Sequence, residues 1–344
     1  MMIVDAHLDL AYNVTRGRDP RMPASQQPVV ENEIATVGLP DLKAGHVGLI
    51  CATIFCDPGK YGSVEQARVQ ALEQLDWYRS CVEQKLLKIV LTANDLPCDT
   101  GAPPVPGTMH GQDAHVTNMP LAAILLLEGA DPLRSPEDVQ EWFDAGLRIV
   151  GLAWKATRYA GGTGMPGPLT SEGRVLVKEL DRLGIIHDTS HLAEESFWQL
   201  MELTSGLVIA SHSNCRSIVG QGDRHLTDDM IRAIASRGGV IGMNFFDKFL
   251  LPTAEYGKRR AALADVVKHI QHICDLTGSA NHVGLGTDMD GGLGREQIPQ
   301  EIKTIADLSR IGDALRATGF TDDEVLNILG NNWRSYFERS LATP

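Results

Sequence analysis

Leu121-Ala122-Ala123-Ile124-Leu125-Leu126-Leu127-Glu128-Gly129 sets seven apolar residues in a row and ends them on a carboxylate. The run is too short to cross a bilayer. Continuous apolarity over this length reads as a strand covered on both faces, the situation of a parallel sheet. Similar runs occur at Ile3–Asp9, Val47–Phe55, Leu147–Trp154, Gly184–His191, Leu207–His212, Val240–Phe246 and Val283–Asp288. Amphipathic stretches lie between them. They include Val64–Gln84, Glu172–Leu183 with Ser171 as the expected N-cap, Asp228–Ser236 after Thr227, and Ala261–Leu276 stopping before Gly278. Strands alternating with helices imply a parallel sheet, and eight such units fit a closed (β/α)8 TIM barrel, expected as a single domain over residues 1–344. The rival, an open doubly wound sheet, is weakened because no GxGxxG follows the first strand.

Two intervals break the rhythm. The stretch between the second and third runs contains Gly101-Ala102-Pro103-Pro104-Val105-Pro106-Gly107 and reads as a surface loop near the mouth of the barrel. Arg16–Ala35, with three prolines, reads as a second loop.

Apolar residues make up 43% and charged residues 22% of the 344, the composition of a folded globular chain. The net charge of −13 speaks against a nucleic-acid partner, because phosphate contacts need clustered Lys and Arg. The six cysteines form no CxxC pair and suit free thiols in a reducing compartment. The N-terminus, Met1-Met2-Ile3-Val4-Asp5-Ala6-His7, lacks the pattern of a signal peptide, so a cytoplasmic location is expected.

The chemistry gathers at the ends of the runs. The first ends in His7-Leu8-Asp9, whose side chains share a face if the strand is regular. Glu128 ends the third, His191 the fifth, His212 the sixth, and Asp288 the eighth. Taken singly, each is an ordinary rim residue. In a barrel, however, all these ends face one mouth, where barrel active sites lie. His and Asp/Glu without Cys are ligands of catalytic-zinc type. Five candidates, His7, Asp9, Glu128, His191 and His212, are too many for one four-coordinate ion that keeps a water. They suit two divalent ions roughly 3.5–4 Å apart, with Glu128 bridging. His187 reads as a structural histidine, and His46, His269, His272 and His282 as surface residues. His110 and His115, in the long loop, could belong to either group.

Asp5–Asp9, Leu127–Gly129, Gly184–His191, Ser211–Ser213, Arg224 with Thr227–Asp229, Gly284–Gly291 and Leu329–Asn332 together, in this order, resemble the membrane (renal) dipeptidase family, peptidase family M19 of the amidohydrolase superfamily. The resemblance covers nearly the whole chain. It implies a hydrolase and metallopeptidase with two Zn2+ per chain, His7 and Asp9 on one and His191 and His212 on the other, with Glu128 between them. It implies Asp288 as acid/base, with Asp290 two residues on as its rival, and Arg224 as receiver of the substrate carboxylate. Two departures bear on substrate: Trp154 stands where family dipeptidases have a histidine, and Phe246 where the mammalian form has a tyrosine. Lys155, next to Trp154, is expected to point away from it. The implied partner is a dipeptide-like small molecule, including dipeptides with a C-terminal D-residue, with no nucleic acid or membrane, and with a homodimer as candidate assembly. Two other readings stay open: a superfamily hydrolase of another amide, an N-acyl amino acid or a lactone, and a non-catalytic metal-binding scaffold.

Overall fold

The apolar runs pair side by side as their two-sided burial requires. The computed structural model describes residues 2–97, 120–220 and 222–341. It contains β1 (Ile3–Leu8), β2 (Val47–Phe55), β3 (Leu87–Ile89), β4 (Leu121–Glu128), β5 (Leu147–Gly151), β6 (Ile186–Asp188), β7 (Val208–Ile209), β8 (Ile241–Met243) and β9 (Val283–Leu285). The order is β7-β6-β5-β4-β2-β1-β9-β8, with every strand pairing parallel. A parallel bridge from Ala210 to Ile241 joins the two ends of that order, which brings the eight expected strands close to a closed barrel.

β3 stands outside the ring. It pairs with Leu121–Ala123, and β5 takes over the same edge of β4 from Leu125 onward. Its three residues are too few to show a period, so nothing in the residue pattern marks a strand inside an interval read as loop. The same interval also carries the helix Val64–Glu83, as the amphipathic pattern predicted, begun by Ser63 accepting from the Gln66 N–H. Its glycine- and proline-rich part, with His110 and His115, lies outside the described residues. Helix Ser171–Leu183 is capped by Thr170, whose hydroxyl accepts from the Gly173 N–H, and not by Ser171. Helix Asp228–Ser236 starts at Thr227 and helix Leu263–Thr277 stops at left-handed Gly278, both as expected.

Alternate residues along the strands fill the barrel. Val4, Leu49, Ile124, Leu126, Ile149 and Ile186 belong to one buried apolar cluster. The opposite faces join a second cluster under the helices. The C-terminal helix Asn332–Ser340 brings Trp333, Tyr336 and Phe337 into the inner cluster. The Trp333 indole N–H donates to the Leu285 carbonyl at 2.8 Å. Gly284 makes room for it, since a Cβ there would stand 2.3 Å from the indole nitrogen.

Candidate functional site

Several strands end earlier than their sequence runs suggest, and the functional side chains lie just beyond those ends. β5 stops at Gly151, β6 at Asp188, β7 at Ile209, β8 at Met243 and β9 at Leu285. Side chains there replace the ladder. Asp188 Oδ1 accepts the N–H groups of both Ser190 and Ser211. Asp5 accepts the N–H and the hydroxyl of Thr287. His191, Asp288 and Asp290 all have left-handed backbone, with φ of 66°, 59° and 64°. Such non-glycine strain persists where surrounding contacts over-determine the backbone, and it clusters at functional sites.

His7 and Asp9 do meet, with Nε2 and Oδ2 3.7 Å apart. Regular strand alternation is not the cause. The pairing register shifts between Asp5 and Leu8, and Asp9 has already left the strand. Glu128 continues the inward-facing set Ala122, Ile124, Leu126. Its two oxygens face different partners. Oε1 is 3.2 Å from His191 Nε2 and 3.2 Å from His212 Nε2, while Oε2 is 3.6 Å from His7 Nε2. The His191 and His212 Nε2 atoms are 3.0 Å apart. His7, Glu128 and His212 form one tight group of candidate ligand atoms, and His7, Asp9 and Asp288 another.

These residues fit divalent metal. His7 Nε2 and Asp9 Oδ1 are buried without any hydrogen-bond partner, an arrangement that is costly unless a cation receives them. Tetrahedral coordination with bonds of about 2.0–2.1 Å sets donor atoms about 3.3 Å apart, close to the spacing around Glu128 Oε1. Burial, followed by the Asp188 carboxylate and against the pull of Arg224, pushes Glu128 up to about 8. Burial also pushes Asp288 up to about 6 and Asp9 well above the usual carboxylate range. It pushes His191 and His212 well below the usual imidazole range, helped by the charge of Arg224. His191 and His212 therefore favour the neutral form, the one that binds metal.

Asp288 Oδ2 accepts from the Asn244 side-chain amide at 2.8 Å. Gly291 leaves space for two carboxylates, as a Cβ there would lie 2.1 Å from Asp288 Oδ1 and 2.7 Å from Asp9 Oδ2. Asp290 turns elsewhere. Its oxygens accept from the Thr36 N–H and hydroxyl and from the Val37 N–H, and Arg18 stands 3.6 Å away.

Arg224 is buried, yet among the described residues it has no carboxylate within 4 Å. It donates to the Ser213 hydroxyl and the His212 carbonyl, its Nε has no partner, and it lies 5.0 Å over the Phe249 ring. A desolvated guanidinium without a contacting carboxylate is suited to receive an anion. Phe246 packs edge-on against Phe249 at 5.0 Å. Trp154 lies 5.7 Å from the His191 ring and 5.3 Å from Phe55, which in turn meets Tyr12. Lys155 does not point away from Trp154: its ammonium lies 5.4 Å over the indole, because the chain has left the strand and alternation no longer applies.

Every expected site residue thus comes to one end of the barrel. His187 is buried and structural, bonded to Asp181 at 2.7 Å. His269 is a correction: it is buried, not superficial, accepting from the Cys215 N–H through Nδ1 and meeting the Leu250 carbonyl through Nε2. Sequence reasoning also passed over Thr163, whose hydroxyl is 3.0 Å from His191 Nδ1, and over Asn244 and His225. Thr163 and Asn244 carry no signal in sequence. His225, adjacent to Arg224, could have been noticed.

A sequence model of the membrane dipeptidase family, peptidase family M19, matches residues 1–338. The chain is 34% identical over 225 residues to a protein encoded 5′ of pqqA in Klebsiella pneumoniae, across 62% of this chain and 80% of that one. It is 28% identical over 218 residues to an uncharacterised dipeptidase of Schizosaccharomyces pombe, spanning about half (51%) of that relative. Among solved structures it is similar to dipeptidase AC, a family M19 metallopeptidase, at 25% identity and a TM-score of 0.79, covering 100% of this chain and 99% of that one. It is likewise similar to a Rhodobacter sphaeroides metallopeptidase liganded with a phosphinate mimic of L-Ala-D-Ala, at 26% identity and a TM-score of 0.78, covering 99% of each. The near-closed parallel barrel, the candidate metal ligands at its mouth and the match over residues 1–338 agree, and the chain belongs to the membrane dipeptidase family of metallopeptidases.

Proposed function

We propose that the chain is a dinuclear zinc-dependent dipeptidase, acting as a single domain on small dipeptides. The supporting observation is the division of Glu128, with one oxygen turned to His191 and His212 and the other to His7. That is what a carboxylate shared by two cations requires. When bound, the two ions supply Lewis acidity that activates water and polarises the scissile carbonyl.

The remaining work falls to the chain's own residues. Arg224 pairs with the substrate's α-carboxylate and fixes its C-terminal end. Asp288, steadied by Asn244, takes a proton from the attacking water at its carboxylate and hands it to the leaving amine. Trp154 and Phe55 cover the mouth on the His191 side and exclude water there. Among the described residues no helix is long and apolar enough to cross a membrane. The free thiols of Cys51, Cys56, Cys81, Cys215 and Cys274 support a reducing, cytoplasmic setting.

The test is metal analysis together with a panel of L,L and L,D dipeptides assayed with added zinc. The expected result is close to two divalent ions per chain and turnover that needs both a free α-amine and a free α-carboxylate. Arg224→Met should raise KM strongly for free-carboxylate substrates and leave the already poor turnover of amidated ones almost unchanged. Turnover confined to N-acyl amino acids, cyclic amides or lactones would move the chain to another reaction. Bound metal with no turnover of any of these would make it a scaffold.

A further inference from the structure

We infer that Asp188 and Ser211 act together as a positioning pair that sets the tautomer of two histidines, His7 and His212, so that both turn a lone pair toward the candidate metal positions. The inference rests on the reading of those histidines as ligands. Neither Asp188 nor Ser211 is itself within that ligand set.

Asp188 and Ser211 lie on the inward face of the barrel, two residues beyond Ile186 and Ile209 of the inner apolar cluster. They form a polar layer between that cluster and the site. Asp188 Oδ1 is taken up by two backbone donors, the N–H of Ser190 at 3.0 Å and of Ser211 at 2.8 Å. Asp188 Oδ2 receives the Ser211 hydroxyl at 2.5 Å, the shortest contact that oxygen makes. A serine hydroxyl has one hydrogen and two lone pairs. With its hydrogen committed to Asp188, Ser211 Oγ meets its other close neighbours as an acceptor. Those neighbours are His212 Nδ1 at 2.8 Å and His7 Nδ1 at 3.2 Å. The Ser190 hydroxyl is farther, at 3.4 Å. Both Nδ1 atoms must therefore carry hydrogen, which leaves both Nε2 atoms bare.

Those Nε2 atoms face opposite oxygens of Glu128. One hydroxyl thus prepares a ligand on each side of the bridging carboxylate. Thr163 does the same for His191 alone: its hydroxyl is 3.0 Å from His191 Nδ1 and donates to the His191 carbonyl at 3.4 Å. Partners of this kind are generally worth 10- to 100-fold in metal affinity.

Asp188→Asn tests the pair while keeping its shape. The two backbone N–H groups hold the amide oxygen at the Oδ1 place, so the new NH2 group faces Ser211 Oγ. The hydroxyl can then no longer donate to residue 188 and turns its hydrogen to an imidazole Nδ1. His212, the nearer, should switch to the Nε2–H form and lose its lone pair at the site. Three measurements are made at pH 8: ions retained per chain, zinc affinity by competition with a chromophoric chelator, and long-range 1H–15N spectra of metal-free, histidine-labelled protein. In the wild type, His7 and His212 are expected as Nδ1–H tautomers. In D188N, His212 should become Nε2–H, with zinc affinity roughly 10- to 100-fold lower and a near-unchanged melting temperature of the metal-free protein. Ser211→Ala should weaken both ions, and Thr163→Val only one.

An Nε2–H form of either histidine in the wild type would overturn the inference. So would D188N that binds both ions as tightly as the wild type. Should D188N fail to fold, the wild-type tautomers and the S211A competition decide in the same two directions. Wild-type protein that takes up no divalent ion would remove the ligand reading first, and the positioning role of Asp188 and Ser211 with it.

Discussion

Asp288 and Asp290 are the same residue type two positions apart, and sequence alone left them as rivals for the proton-transfer role. Their surroundings separate them. Asp290 spends its oxygens on Thr36 and Val37, with Arg18 beside it, and so pins the loop that leads to β2. Asp288 faces Asp9 and His7 and keeps one contact to Asn244. Asp288→Asn is expected to retain metal and cut kcat by roughly 100-fold or more, the scale of a positioned acid/base. Asp290→Asn should instead lower the melting temperature while sparing most of kcat. Kinetics and calorimetry on the two variants check this, and the opposite pattern would exchange the roles.

Trp154 stands beside His191 at the same mouth. Its indole offers one N–H donor and no base at the place where the family resemblance leads to an imidazole. It makes the wall with Phe55 and Tyr12 apolar. Trp154→His should broaden the range of dipeptides hydrolysed or speed their turnover. An unchanged substrate profile would show that Trp154 only packs at the rim. The candidate ligands were legible because His and carboxylates ended apolar runs. Thr163, Asn244 and the clearance at Gly291 were not, because a hydroxyl, an amide or a missing Cβ acquires its meaning only from a neighbour far off in the chain.

At the scale of elements, helix Leu263–Thr277 shows a pattern that was present and misread. Val266, Ile270 and Ile273 mark its buried face, and His269 sits among them at helical spacing. Burial holds the His269 imidazole down at about 4, against about 6.5 in an unfolded chain. Between those two values the unfolded chain binds the proton and the folded one does not. The contribution of neutral His269 is therefore complete above about pH 6.5 and shrinks as pH falls toward 4. The stability gap between wild type and His269→Gln should narrow by about 2 kcal/mol from pH 8 to pH 5. Urea unfolding at both pH values measures it, and a gap of constant size would contradict the assignment. The strands teach a related lesson. Their cores were readable from apolarity, but their ends were not, because Asp188 and Asp5 take over backbone donors that a ladder would otherwise use.

At the scale of the molecule, the number of strands followed from the alternation of runs. The extra strand β3 and the packing of Trp333 into the barrel did not, since both depend on contacts made only after the ring has formed. The ring itself is uneven. β1, β2 and β4 have six, nine and eight residues, whereas β6, β7, β8 and β9 have three, two, three and three. Among the described residues β7 meets β8 just beyond its end, at the Ala210–Ile241 bridge. His7, Asp9 and Glu128 come from the long-strand side, and His191 and His212 from the short. Ligands that bind only the folded state stabilise it by mass action. Chelation should thus lower the wild-type melting temperature by several degrees, and Glu128→Gln should lose much of the second ion and most of that shift. A melting temperature indifferent to chelator would refute the link. Bound ions would then serve as a clasp on a hoop whose short-stranded joints lie beside them. Amide exchange and protease cutting near β6–β8 should follow the free metal concentration, while β2 and β4 stay silent. Metal supply would set how long each molecule survives as well as whether it turns over substrate.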